Sequence, residues 1–208
     1  MEYLFNNFDD LLESTLEHLN MVAISLALAV ILAFVIIYLC LNSQKAFNRL
    51  TYFFSALYAI PSYASFALLI PITGLGTTSA VVVLTLYSEY ILLRSFATGI
   101  REIDPVIIES ATAMGMTTQQ IFFKVQLPLA SKSIFSGIKL TLTTMINIAM
   151  IAATINAGGL GSILFDGLRT QDVTTILWGA IFSIILCIVC SLFIDVIEKW
   201  ATKNLNPA

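Results

Sequence analysis

The sequence predicts an all-α polytopic membrane protein with five membrane-spanning helices, and three observations carry that expectation. Of its 208 residues, 58% are hydrophobic and 11% charged, with a mean hydropathy of +0.91, a balance foreign to soluble globular domains. The charged residues fall in clusters and leave uncharged runs long enough to cross a bilayer. The longest run is divided by a group of helix breakers. A net charge of −3 without any run of Lys and Arg gives no basis for nucleic-acid binding.

Residues 1–18 carry Glu2, Asp9, Asp10, Glu13 and Glu17 and no Lys or Arg, unlike the cationic start of a cleaved signal peptide. They are expected to remain as an extracellular acidic segment ahead of a single transmembrane domain, residues 19–208. Leu11, Leu12, Thr15, Leu16 and Leu19 recur at helical spacing and predict a surface helix lying on the membrane.

Residues 19–44 are uncharged and form the first span. Lys45 and Arg49 follow, then residues 50–88 run without charge for about 58 Å at about 1.5 Å per residue, too long for one crossing. Pro71, Gly74 and Gly76 divide this run into the second and third spans, and Pro61 should kink the second. Glu89 and Arg94 stand at the end of the third span, where snorkelling to the interface is favoured over burial. Residues 140–165 hold the fourth span, ending before the glycines at 158, 159 and 161. Residues 173–194 form the fifth, bracketed by Trp178 and Trp200 as interfacial anchors.

With five spans, Lys45, Arg49, Arg94, Arg101, Lys124, Lys132, Lys139, Lys199 and Lys203 fall on one side and Arg169 alone on the other. The cationic side is cytoplasmic, so the N-terminus is expected outside and the C-terminus inside. The polar stretch between spans three and four, about residues 101–130, is then cytoplasmic.

That stretch describes two short helices and a tight turn. Asp104 can cap a helix beginning at Pro105, and Gly115 can end it. Thr117 and Gln120 have the spacing of a capping box, Ile121, Phe122 and Val125 make an apolar stripe, and Pro128 should mark a boundary by disfavouring helix at Leu127.

The spacing Glu109, Ala111, Gly115, nine residues, Val125, Leu127, Pro128 resembles the EAA motif of ABC importer membrane subunits. In that family this cytoplasmic loop seats in a groove of the ATP-binding subunit. Ser110 and Val125 stand where the family usually has Ala and often Ile. The resemblance implies that Glu109 makes polar contact with the ATPase, that Gly115 permits the turn, and that Ile121 and Phe122 supply apolar contact, with Ser110, Ala111, Leu127 and Pro128 completing the docking loop. The competing reading is an ordinary hairpin packed within the chain.

The flanks of the glycine turns, residues 60–62 and 166–172, resemble permease subunits of osmoprotectant importers for glycine betaine, carnitine and choline, over residues 52–195. This implies a multi-pass protein of a prokaryotic cell membrane that works as a permease pair with two ATPase subunits and an external substrate-binding protein. Amino-acid or other small-nutrient importers share the loop, and a membrane-embedded enzyme or scaffold is the reading from another class.

The sequence has no G-x-x-x-x-G-K-[ST] phosphate loop, so ATP and Mg belong to a partner, and no catalytic triad can be composed around the single His18. No metal site is expected, and Cys187-x-x-Cys190 in an apolar span reads as packing, as does Cys40. Pro61, Thr144, Asn147 and Asn156 are candidates for the translocation path, although Thr and Asn equally serve as hydrogen-bonding groups between helices. Gly74, Gly76, Gly159 and Gly161 form two small-residue turns on the expected outer face, each a gate or a plain turn.

Overall fold

The computed structural model describes residues 2–203, all of whose regular elements are helical: α1 (Glu2–Asn6), α2 (Phe8–Leu39), α3 (Gln44–Tyr58), α4 (Ser62–Thr73), α5 (Thr77–Arg101), α6 (Pro105–Ala113), α7 (Thr118–Ile121), α8 (Leu127–Leu129), α9 (Ser131–Ala152), α10 (Leu160–Thr170) and α11 (Val173–Thr202). A π turn, Phe122–Gln126, joins α7 to α8, and a 3₁₀ turn, Ala153–Ile155, extends α9. Residue 1 and residues 204–208, which open the acidic segment and close the permease domain in the sequence reading, lie outside the described residues.

Among the described residues four helices are long and apolar enough to cross a membrane: α2, α5, α9 with its 3₁₀ extension, and α11. The pair α3 and α4, bent by 99° at the short break between them, gives a fifth if counted as one span. Pro61 thus does more than kink a helix. Its φ of −55° starts α4, and its ring ends helical hydrogen bonding from α3. Tyr87 of α5 donates to the Ile60 carbonyl at this break and shares a hydrogen bond of 2.8 Å with Ser65. Pro71, expected among the breakers, sits inside the last turn of α4, and the helix ends only at Gly74, whose φ is +79°.

The acidic leader is also corrected. Residues 8–18 form the first turns of α2 and continue into the first span as one helix. Asp9 and Asp10 in its first turn complement the dipole. Leu11 and His18 are fully buried. Of the apolar stripe that suggested a membrane surface, Leu11 turns inward where α2 packs on α10 and α11, while Leu12 and Leu16 stay exposed.

The core lies where α2, α5 and α9 meet. Ala29 and Ala33 of α2, Ala80 of α5, and Ala149 and Ala152 of α9 are all fully buried and let backbones approach closely, a pattern suited to helices in lipid. Met21, Leu84, Leu92, Leu93 and Met145 fill the spaces between them. The α5–α9 seam is tightest at Gly99, where an added Cβ would lie 2.7 Å from the Ser133 Cβ, and at Gly137, where it would strike Ser95. The helix α11 packs on α9 and α10, with Lys139 bridging to Asp195 at 2.6 Å and Glu198 at 3.3 Å.

Glu89 corrects a further expectation. Its side chain is fully buried on the face of α5 that carries Leu92, Leu93 and Phe96, and neither carboxylate oxygen has a hydrogen-bond partner among the described residues. Snorkelling needs the long stem of Lys or Arg, which a carboxylate lacks. Arg94 has that reach: it lies exposed, with Nη1 donating to the Tyr90 hydroxyl at 2.7 Å.

Candidate functional site

The segment from α6 to α8 is built from local signals. Asp104 accepts from the Val106 N–H at 2.9 Å and caps α6, whose first residue is Pro105. The helix ends in a Schellman motif: the Met116 N–H donates to Ala111 O and the Gly115 N–H to Thr112 O, with Gly115 at φ +80°. Thr117 and Gln120 then form the expected capping box, through bonds of 3.3 Å and 2.8 Å.

Pro128 does not bound the helix as expected. Leu127 keeps helical angles of −61° and −47°, and the chain runs on into α8. The π turn just ahead, closed by the Leu127 N–H on Phe122 O, changes the hydrogen-bond register so that a proline without an N–H fits into the helix.

Contacts of long range fix this segment to the bundle. Phe122, fully buried, and Phe123 lie with ring centroids 6.4 Å and 6.2 Å from Phe34 of α2. Gln119 donates to the Tyr38 hydroxyl at 3.1 Å, and Ser133 to Glu102 at 3.1 Å. Ile121 and Phe122 therefore anchor the loop to its own chain and do not offer apolar contact outward, which corrects their expected role. Ala111 is buried too, Leu127 and Pro128 are half-buried, and Glu109, Ser110 and Gly115 are exposed.

The outward apolar groups are ones the sequence reading passed over: Val106 at 63% exposure, Ile107 at 41% and Met114 at 76%. They flank the motif on α6 and its cap. The clue was available, since Val106, Ile107, Ser110 and Met114 fall on one side of a helical wheel.

The glycine turns come together at the other end of the bundle. The Gly76 N–H donates to Ile155 O at 2.8 Å, which joins the two turns. Glu17 accepts from the Gly159 N–H at 2.8 Å and so caps α10, while His18 Nε2 lies 3.2 Å from Ile146 O. Gly159, at φ +77°, is crowded by His18, since an added Cβ would stand 3.0 Å from Nδ1 and 3.2 Å from Cβ. Gly74 and Gly76 are likewise at positive φ, and Gly161 packs against the Met150 carbonyl. At this end Asp172 caps α11, and hydrogen bonds from Thr175 and Thr174 hold its carboxyl below the usual carboxylate range.

The candidate path residues are not gathered in one place. A cleft of about 550 Å³ opens between α3, α5 and α9, lined by Tyr58, Tyr90, Arg94, Ser95, Lys132 and Thr144 among others. Pro61, Asn147 and Asn156 are not in its lining; they are exposed at the bend, on α9, and at a left-handed turn with φ +61°. Thr143, Thr144 and Asn147 bond back to carbonyls of their own helix, at 3.0, 2.8 and 3.0 Å. The Thr141 hydroxyl is buried without a partner among the described residues. Among the described residues no group of three His, Cys, Asp or Glu is placed to hold a metal ion.

Residues 25–206 match the family model described as "Binding-protein-dependent transport system inner membrane component". The carnitine transport permease protein OpuCD of Listeria monocytogenes is 33% identical over 208 residues, all of this chain and 92% of that protein. The choline transport system permease protein OpuBB of Bacillus subtilis is 33% identical over all of this chain and 94% of its own length. The glycine betaine/carnitine/choline permease protein OpuCB of Bacillus subtilis is 32% identical over 98% of this chain and 94% of that one. Among solved structures, an inward-facing MetNI methionine ABC transporter aligns with TM-score 0.77 at 21% identity, covering 92% of this chain and 94% of that one. An amino acid ABC transporter aligns with TM-score 0.74 at 17% identity, over 97% and 96% of the two chains.

Proposed function

From the premise that the chain belongs to the family of binding-protein-dependent transport system inner membrane components, we propose its cargo, its orientation and its docking surface. The chain is a membrane-embedded permease subunit of an ABC importer, and a separate subunit hydrolyses ATP. The proposed cargo is a quaternary ammonium compatible solute of the glycine betaine, carnitine and choline class. Full-length similarity to three permeases named for those solutes supports it.

The proposed orientation sets the α6–α8 end in the cytoplasm and the glycine turns outside, a reading supported by Arg101, Lys124 and Lys132 clustering at the loop end. The docking surface is the outer face of α6, with Glu109 and Ser110 as polar contacts and Val106, Ile107 and Met114 as apolar ones. The observation that carries it is a helix capped at both ends, pinned by Phe122, and still presenting large apolar side chains outward.

Two such permease subunits, identical or related, would pair with two ATPases, which supply ATP and Mg, and with an external binding protein. A quaternary ammonium has no N–H to donate and is held best by aromatic faces. A binding protein would supply that selectivity, and closure of the ATPases would rock the spans through α6. The test is uptake of labelled glycine betaine, carnitine and choline by transport-deficient cells expressing chain, ATPase and binding protein. Entry that needs all three components is expected. A complex that assembles and hydrolyses ATP but admits none of the three would overturn the cargo and make amino acids the next to try.

A further inference from the structure

We propose that the cleft between α3, α5 and α9 is a transient cargo site that distinguishes solutes bearing a carboxylate from those without one. Arg94 and Lys132 receive the carboxylate, and Tyr58 and Tyr90 receive the trimethylammonium group. The inference rests on the cargo reading above and gives this chain a share in selectivity.

The two charges of such a zwitterion find complementary groups at matching separation. Tyr90 and Arg94 stand one turn apart on α5, about 6 Å along the axis, the order of the distance between the charges of an extended carnitine. Tyr58 of α3 faces Tyr90 with ring centroids 5.2 Å apart, so two aromatic rings line one side of the cleft, with the buried Tyr87 packed behind Tyr58 at 5.6 Å. The Tyr90 face already holds a cation: the Arg94 guanidinium carbon lies 5.9 Å from its centroid. An arriving carboxylate draws the guanidinium into a bidentate pair and leaves that face to the ammonium.

Two further features suit a cargo. Among the described residues neither Arg94 nor Lys132 is in an ion pair, whereas Lys139, two turns along α9 from Lys132, is held by Asp195 and Glu198. The free cations thus face the cleft and the paired one faces α11. The floor is also rigid, because Ser95 and Gly137 meet too closely to admit a methyl group between α5 and α9. The cleft's open, half-solvated rim keeps binding weak, as a station on a path requires.

The test compares uptake of glycine betaine and carnitine with that of choline, which carries the same ammonium head and no carboxylate, in the wild-type complex and in the Arg94→Gln/Lys132→Gln variant. Loss of a charge-assisted pair should lower the ratio of carnitine to choline uptake about tenfold. The ratio is independent of how much transporter reaches the membrane. Arg94→Lys, which keeps the charge, should restore most of it.

If the double variant is lost from the membrane, Lys132→Gln alone, at an exposed position, should still lower the ratio about threefold. An unchanged ratio overturns the inference while leaving the cargo class intact. So does an equal loss for all three solutes that is reproduced in wild type by depleting anionic phospholipid, which would assign the two cations to a lipid headgroup. Failure of the wild-type complex to import any of the three overturns the cargo reading, and the inference with it.

Discussion

The two ends of the bundle are built in opposite ways. At the loop end, structure comes from neighbours in sequence: Asp104 caps two residues ahead, Thr117 and Gln120 cap each other, and Gly115 turns the chain. At the glycine end it comes from residues far apart in the chain, since Glu17 caps a helix 142 residues away and His18 meets a carbonyl 128 residues away. A local design yields an arm whose shape does not depend on the spans. A long-range design ties α2, α5, α9 and α10 into one block. Only the first can be changed without disturbing the packing of the spans.

The sharpest way to break this contrast is Phe122→Ala, because Phe122 is the point at which the local arm meets the long-range core. It should cost about 3 kcal/mol and lower the unfolding temperature of the purified complex clearly. An unchanged melting curve would mean that the arm is not anchored there. Gly159→Ala comes next, at about 2 kcal/mol, since it sets a strained φ and a crowded His18 against the block.

Gly115→Val tests the other end. Nothing lies within 4 Å of the site, so the substitution strains only the turn, by about 1–2 kcal/mol. It should leave the protein in the membrane while uptake falls about tenfold, by the usual scale of 1.4 kcal/mol per decade. Full uptake would remove α6 from the coupling path. Met114→Ser should alter stability by less than about 0.5 kcal/mol, as exposed substitutions do, yet weaken co-purification of the ATPase.

The smallest effect concerns pH. The Asp172 carboxyl, held below its ordinary value by Thr175 and Thr174, stabilises the folded state at any pH above the usual carboxylate range. That contribution is lost as pH falls through the lowered value. Asp172→Asn should therefore flatten the decline of melting temperature at the acid end of a titration and change little at neutral pH.

The same contrast explains what was legible in the sequence. Caps and turns of the loop depend on residue types at fixed short spacing, so Asp104, Gly115, Thr117 and Gln120 could be read directly. Spans followed from uncharged length, apart from the pair bent at Pro61, where a sequence records a breaker but not the angle. Which way a side chain faces depends on what packs behind it. Ile121 and Phe122 therefore looked outward until Phe34 and the π turn were seen, and Glu89 looked peripheral until α5 was seen packed between α2 and α9. The Glu17 and His18 contacts had no signal in sequence, because their partners are backbone groups whose residue types carry no mark.

The bend between α3 and α4 has a consequence for the order in which the chain can be assembled. Two arms set at 99° cannot settle as one straight rod in lipid, and α4, with 12 residues or about 18 Å, is too short to cross alone. The backbone at the break needs a partner that lipid cannot provide. Its carbonyl at Ile60 is satisfied by Tyr87, which the ribosome adds 27 residues later. The bent pair can thus complete its place in the bilayer only after α5 has been synthesised, so α3, α4 and α5 enter as one unit of biogenesis.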